Sequence, residues 1–268
     1  MKYITKSILK KIYKKREKWC HKYDFGNLLI IGGSKLYSGS IIFNALAAYR
    51  AGCDVVTIVA PERAANIAAS YLPEIIAYPL NCEYFSLKVL DEVLEFVKGK
   101  DAIVIGGGMT KRDEVIEFII EFLKRINLPC VIDADAIYAI SKDLKILKEK
   151  FVLTPHAYEF YLLSKEKVEN NIKDRIKKVK EFINKSNVKS VLVLKGYIDI
   201  IAQKNKIALN KTGSVYMTKG GTGDTLAGIL GALLARKVDP FLAACAACYI
   251  NGKAGELAAK KYGESMLA

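Results

Sequence analysis

The stretch "NLLIIGGSKLYSGSIIFNALAAYRAGCDVVTIVAP", Asn27 to Pro61, holds the pattern on which the fold turns. "NLLIIGGS" (27–34) is an unbroken apolar run ending in glycines, which reads as a strand buried on both faces that opens into a loop. "SIIFNALAAYRAG" (40–52) changes to helical spacing and closes on Gly52, a C-terminal cap. "DVVTIVAP" (54–61) returns to an apolar strand. Strand, helix and strand in this order make a βαβ unit, whose strands run parallel.

The same rhythm extends along the chain. A helix is predicted from Glu62 to Tyr71, a shorter strand in "EIIAYPL" (74–80) and a helix over 86–98. "DAIVIGGG" (101–108), "PCVIDADA" (129–136), "FVLTPH" (151–156) and "SVLVLKG" (190–196) are four further strands separated by helices. "YIDIIAQKNKIALN" (197–210) sets two β-like runs around "QKNK", a hairpin added to the sheet. Helices over about 224–236 and from Pro240 to Lys261 follow. The predicted fold is α/β, with a mostly parallel central sheet and helices on both faces. Residues 1–268 form one domain with a basic N-terminal segment, 1–25. Ligands of such sheets bind beyond the carboxyl ends of the strands. Polar residues gather at those ends: Ser34, Gly106 to Gly108, Asp133, Asp135, His156 and Lys195.

Composition narrows the class. The chain is 51% hydrophobic and 26% charged, enough apolar material for a substantial soluble core. No apolar run approaches the roughly 20 residues of a membrane span, and the first residues lack the features of a signal peptide. A cytoplasmic protein is expected. The six cysteines are dispersed, and Cys245 and Cys248 share a helix face in "LAACAACYI", so they read as core thiols rather than a metal or redox pair. Residues 1–25 carry nine Lys/Arg and two acidic residues of a chain with net charge +14. That segment reads as a solvated helix face; no nucleic-acid module accompanies it.

"MTKGGTGDTLAGILGALL" (217–234) crowds Gly220, Gly221, Gly223 and Asp224 against a helix start. The P-loop pattern is absent. The dinucleotide pattern G-x-G-x-x-G fails at "GGGMTK", where Lys111 takes the last glycine position, and at "GTGDTL", where Leu226 does. Glycines before a helix expose N–H donors at the positive end of its dipole, a cradle for phosphate. They equally make a tight turn, and Asp224 equally caps the helix. The residues alone leave both readings open.

From about Arg16 onward the chain resembles the ADP/ATP-dependent NAD(P)H-hydrate dehydratases, a branch of the ribokinase-like superfamily. The resemblance rests on an ordered series: "GGSKLYSGS", "YRAGCDVVTIVAPE", "DAIVIGGGM", "VIDADAI", "LTPHAYE", "LKG" and "GGTGDTLAGIL". It implies that phosphate from ADP or ATP is placed on the ring hydroxyl of hydrated NADH or NADPH (the S epimer), and that its loss restores the dihydronicotinamide. Asp224 would be the catalytic group for that hydroxyl. Ser40, Gly108, His156 and Asp224 would hold the hydrated nucleotide. Lys195, Gly196, Tyr197, Ile198 and Asp199, with Gly220, Gly221 and Gly223, would hold ADP or ATP, with Mg²⁺ on its phosphates and no dedicated protein metal site. Asp133 and Asp135 receive no role. The resemblance also implies a homo-oligomer, commonly a tetramer, and epimerase activity supplied by a separate polypeptide.

The chain departs from the family pattern at several places. Ser40 stands for the usual alanine, and Gly107 and Thr110 replace a proline and a glycine, which implies a looser loop there. "HAYE" replaces "HPGE" but keeps Glu159. The rival within enzymes is a ribokinase-like kinase of a vitamin-precursor alcohol such as hydroxyethylthiazole.

Overall fold

The computed structural model describes residues 2–186 and 188–268. Among these, one sheet collects the strands β1 (Lys2–Tyr3), β2 (Asn27–Ile31), β3 (Val55–Pro61), β4 (Ile76–Leu80), β5 (Ala102–Ile105), β6 (Cys130–Ile132), β7 (Phe151–Leu153), β8 (Val191–Leu194), β9 (Asp199–Gln203) and β10 (Lys206–Asn210). Their spatial order is β1-β10-β9-β8-β7-β6-β5-β2-β3-β4. β9 runs antiparallel to β8 and β10, and every other pairing is parallel. The predicted class therefore holds, hairpin included.

The helices are α1 (Ser7–Ile12), α2 (Gly39–Arg50), α3 (Glu62–Tyr71), α4 (Leu90–Glu95), α5 (Asp113–Arg125), α6 (Asp135–Ile140), α7 (Ala157–Ser164), α8 (Ile172–Ser186), α9 (Thr222–Ala235) and α10 (Pro240–Tyr262). Successive strand residues point to opposite faces, so Leu28 and Ile30 join one apolar layer and Leu29 and Ile31 the other. The first layer takes in α2, α3, α9 and α10, and the second α5 to α8. Burial on both sides is why the central strands read as unbroken apolar runs.

α9 is the most enclosed helix of the site, with every residue from Leu226 to Ala235 buried. Two glycines let it lie that deep. A Cβ on Gly228 would stand 2.2 Å from the Asn44 carbonyl oxygen of α2, and one on Gly231 would stand 2.4 Å from Val104 of β5.

Three boundaries differ from expectation. The 86–98 region is a short 3-10 turn (Leu87–Val89) followed by α4, because its apolar residues hold helical spacing only briefly. α9 begins at Thr222, two residues early. The basic N-terminal segment is also more than a solvated face. Lys2 and Tyr3 pair with Ala208 and Leu209 at the sheet edge, and Ile4 and Ile12 are buried in the first core layer. Cys245 and Cys248 are buried free thiols, as predicted. Among the described residues, no helix is long and apolar enough to cross a membrane.

Candidate active site

The order β8-β7-β6-β5-β2 brings five strand ends side by side. β6 runs into Asp133, β7 into Thr154, Pro155 and His156, and β8 into Lys195. The β6 end lies directly on the β5 end: a Cβ on Gly106 would meet the Asp133 carbonyl oxygen at 1.9 Å, so only glycine fits there. Lys195 Nζ donates to Asp133 Oδ1 at 3.1 Å and lies 3.9 Å from Glu159 Oε2. Asp133 Oδ1 also accepts from Thr154 Oγ1 at 2.7 Å. Burial works against the charge of Lys195. The Asp133, Glu159 and Asp224 carboxylates outweigh it and hold the ammonium above the usual lysine range. A fixed cation at a strand end suits phosphate.

Asp224 is the third residue of α9, and the residue before that helix is Gly221 at φ +99°, with no side-chain cap. The helix-cap reading of Asp224 thus fails. Burial, followed by the charge of Asp133, pushes its carboxyl up to about 6; a hydrogen bond from Ser40 and the charge of Lys195 oppose the rise. Ser40 sits in the first turn of α2. One turn on, Asn44 Nδ2 donates to the Asp224 carbonyl oxygen at 2.7 Å. The β5 loop closes the group: a Cβ on Gly107 would lie 2.8 Å from Ser40 Cβ and 3.2 Å from Asp224 Oδ1.

That loop is tighter than its sequence implies. Thr110 adopts φ +79°, a conformation that favours glycine, and its N–H donates to Asp135 Oδ2 at 2.8 Å. Asp135 accordingly latches the loop instead of capping α6, whose preceding residue makes no side-chain cap. Gly108, at φ +69°, packs on Tyr37 of the "YSG" loop.

His156 serves two purposes. Its Nδ1 accepts from the N–H groups of Tyr158 and Glu159 at 3.2 and 3.3 Å, while Glu159 Oε2 accepts from the His156 N–H at 2.8 Å. This reciprocal cap starts α7 and places the proton of the neutral ring on Nε2. Burial and then the Lys195 cation hold the imidazole below its usual range. Burial, with Asp133 adding to it against Lys195, pushes Glu159 up to about 7.

Beside this cluster lies a cavity of about 660 Å³, lined by His156, Lys195, Gly196, Tyr197, Asp199 and Gly223. Residues 211–215 and 217–219 form a further wall, including Lys211 and Lys219, and Thr222, Leu226, Cys248, Asn251 and Gly252 close it from α9 and α10. Sequence reasoning missed this wall. "KTGSVYMTK" belongs to no strand or helix pattern, and its only signal is the turn-forming Thr-Gly-Ser after the hairpin. Three residues predicted to hold the nucleotide do not line this cavity: Ile198, Gly220 and Gly221. Ile198 packs into the second core layer, because the short turn returns it beneath β9. The side of Gly221 that a Cβ would occupy is filled by Phe43 and Ala268, so that glycine serves the backbone turn. Gly220 faces open space. Asp133, given no role from sequence, is the shared partner of the cluster.

The mostly parallel ten-stranded sheet with helices on both faces has the ribokinase-like fold of its structural neighbours. Residues 28–268 match the family model described as NAD(P)H-hydrate dehydratase, and the chain belongs to that family. It is 42% identical to the bifunctional NAD(P)H-hydrate repair enzyme Nnr of Hyperthermus butylicus, over 92% of this chain and 47% of that one. It is 32% identical to the ADP-dependent (S)-NAD(P)H-hydrate dehydratase of Cenarchaeum symbiosum, over 97% of this chain and 90% of the relative. The crystal structure of the Bacillus subtilis ADP/ATP-dependent NAD(P)H-hydrate dehydratase, co-crystallised with ATP/Mg²⁺, is similar with a TM-score of 0.79 and 25% identity. That similarity covers 99% of this chain and 92% of the other. The chain spans about half the length of the bifunctional relatives it matches.

Proposed function

We propose that this chain uses ADP or ATP to dehydrate the S epimer of hydrated NADH or NADPH. The observation that carries the reading is Asp224. It is a carboxylate in the first turn of α9, pushed up to about 6 by burial and Asp133, with Ser40 packed across the same glycine, Gly107, beside a lysine-bearing cavity. Hydroxide is a poor leaving group from the damaged ring, and phosphate is a good one. Asp224 accepts the proton of the ring hydroxyl as its oxygen attacks the terminal phosphoryl group of the nucleotide. Lys195 and the N–H groups at the α9 start offset the charge that builds on the phosphoryl oxygens. The ring nitrogen lone pair then expels phosphate, and loss of a ring proton restores the dihydronicotinamide.

Among the described residues, no three or more His, Cys, Asp or Glu side chains converge on a metal position. Asp224 and Asp133, the carboxylates that act on each other beside Lys195, would hold Mg²⁺ carried in on the nucleotide phosphates, and the ion would neutralise charge there. The residues of the Ser40 and Gly108 loops are assigned to the hydrated nucleotide, and those of the Lys195–Asp199 turn to ADP or ATP.

The deciding assay mixes the protein with hydrated NADH and ADP or ATP and follows the return of dihydronicotinamide absorbance. Recovery with neither nucleotide would overturn the reading. A kinase of a vitamin-precursor alcohol would instead leave a stable phosphorylated product. Asp224→Asn is expected to lower turnover by at least about 100-fold, the scale of a lost general base, with ADP binding retained in a direct titration.

A further inference from the structure

The turn that joins β8 to β9 is held from outside itself. Arg175 of α8 donates from Nη2 to the Lys195 carbonyl oxygen at 2.7 Å. The Gly196 N–H donates to Asp199 Oδ1 at 3.0 Å, and Asp199 Oδ2 accepts from Asn210 Nδ2 at 3.0 Å. A Cβ on Gly196 would stand 2.7 Å from Arg175 Nη2 and 3.2 Å from its Cζ. Gly196 is not among the residues with positive φ. Glycine is required here for space, and the space is taken by the guanidinium.

The residue type matters as well. α8 reads "IKDRIKKVKEFINKS", and Arg175 is its one arginine among five lysines. The lysines serve a solvated face. Arg175 is half-buried, and its planar fork can lie flat beside a glycine while one N–H reaches a carbonyl, which a lysine ammonium cannot do. Arg175 does not itself line the cavity; it touches the back of the turn whose front does.

We propose that Arg175 is a positioning residue of the nucleotide site: by filling the space beside Gly196 and fixing the Lys195 carbonyl, it sets the turn against which ADP or ATP is held. The inference rests on reading the cavity as the nucleotide site. The Lys195 ammonium is held separately by Asp133, so removal of Arg175 acts on nucleotide binding far more than on the chemical step.

The test compares wild type, Arg175→Ala, Arg175→Lys, Gly196→Ala and the Arg175→Ala/Gly196→Ala pair. Each is measured by calorimetric ADP titration, steady-state kinetics and melting. Arg175→Ala is expected to raise Kd and KM for ADP by about tenfold, the loss of roughly one hydrogen bond from a charged donor, with kcat within about threefold. Arg175→Lys falls between it and wild type. Gly196→Ala also weakens ADP, because its methyl meets the guanidinium. In the double variant that methyl enters vacated space, so the combined loss is smaller than the product of the single losses. Wild-type ADP affinity in a folded Arg175→Ala protein would overturn the proposal, as would losses that simply multiply. Should Arg175→Ala fail to fold, an unchanged ADP affinity in both Arg175→Lys and Gly196→Ala overturns it equally. Failure of the wild type to bind ADP would fell the nucleotide reading itself, before any variant is compared.

Discussion

Asp224 shows how one side chain acquires its chemistry from neighbours that are far away in sequence. Burial and Asp133 raise its carboxyl, while Ser40 and Lys195 restrain it. A base must be ionised, so turnover is expected to fall as pH drops through about 6. Ser40→Ala removes a donor to the charged form and shifts that acidic limb to higher pH; a pH–rate profile unchanged by the substitution would remove Ser40 from this role. Stability carries the opposite sign. A carboxyl whose folded value is raised favours folding below its unfolded value, near 4, and loses that contribution as pH rises through about 6. Asp224→Asn should therefore melt above wild type at pH 8, with the gap closing toward pH 4. The inactive variant would be the more stable protein, as expected where a site holds an uncomfortable charge. The presence of Asp224 in a glycine cradle was legible in the sequence. Its raised carboxyl was not, because its burial and the approach of Asp133 arise only through the parallel order of the sheet.

At the scale of elements, α2 and α9 form a single unit. Asn44 bonds the start of α9, and its own carbonyl lies under Gly228. Gly228→Ala forces that backbone contact apart and is expected to cost about 1–3 kcal/mol, the usual scale of overpacking. Because Ser40 and Asp224 ride on the two helices, turnover should fall along with Tm. Gly220→Ala, with nothing near its Cβ, should leave Tm unchanged. Equal melting of the two variants would refute this division of labour among the glycines. The central strands were readable as unbroken apolar runs between turn residues, and the longer helices because each repeats its period several times. The cavity wall from Lys211 to Lys219 was not, since a loop built around a cavity has no period to read. His156 illustrates a mixed case: its position at a strand end marked it, but its Nδ1 is occupied with starting α7.

Over the whole molecule, the first residues of the chain lie at one edge of the sheet and β4 at the other. A two-residue strand has no periodicity, which is why a basic segment that pairs at the edge reads as a solvated face. Its removal exposes the backbone of β10 and takes Ile4 and Ile12 out of the core. Deletion of residues 2–12 should lower Tm and promote association, as unpaired edges do. Unchanged melting would assign the segment to the surface after all.

The place of β1 also orders events in time. Synthesis delivers Lys2 and Tyr3 well before their partners Ala208 and Leu209, which emerge only after the intervening strands and helices have been made. Until then the leading segment has no strand to join, and its lysines keep it in water. When it docks, Tyr3 comes beneath Lys211, a cavity-wall residue, with the ammonium 5.5 Å from the ring. Lys2 and Tyr3 are thus among the last to find their place, and their arrival seats a ring beneath Lys211.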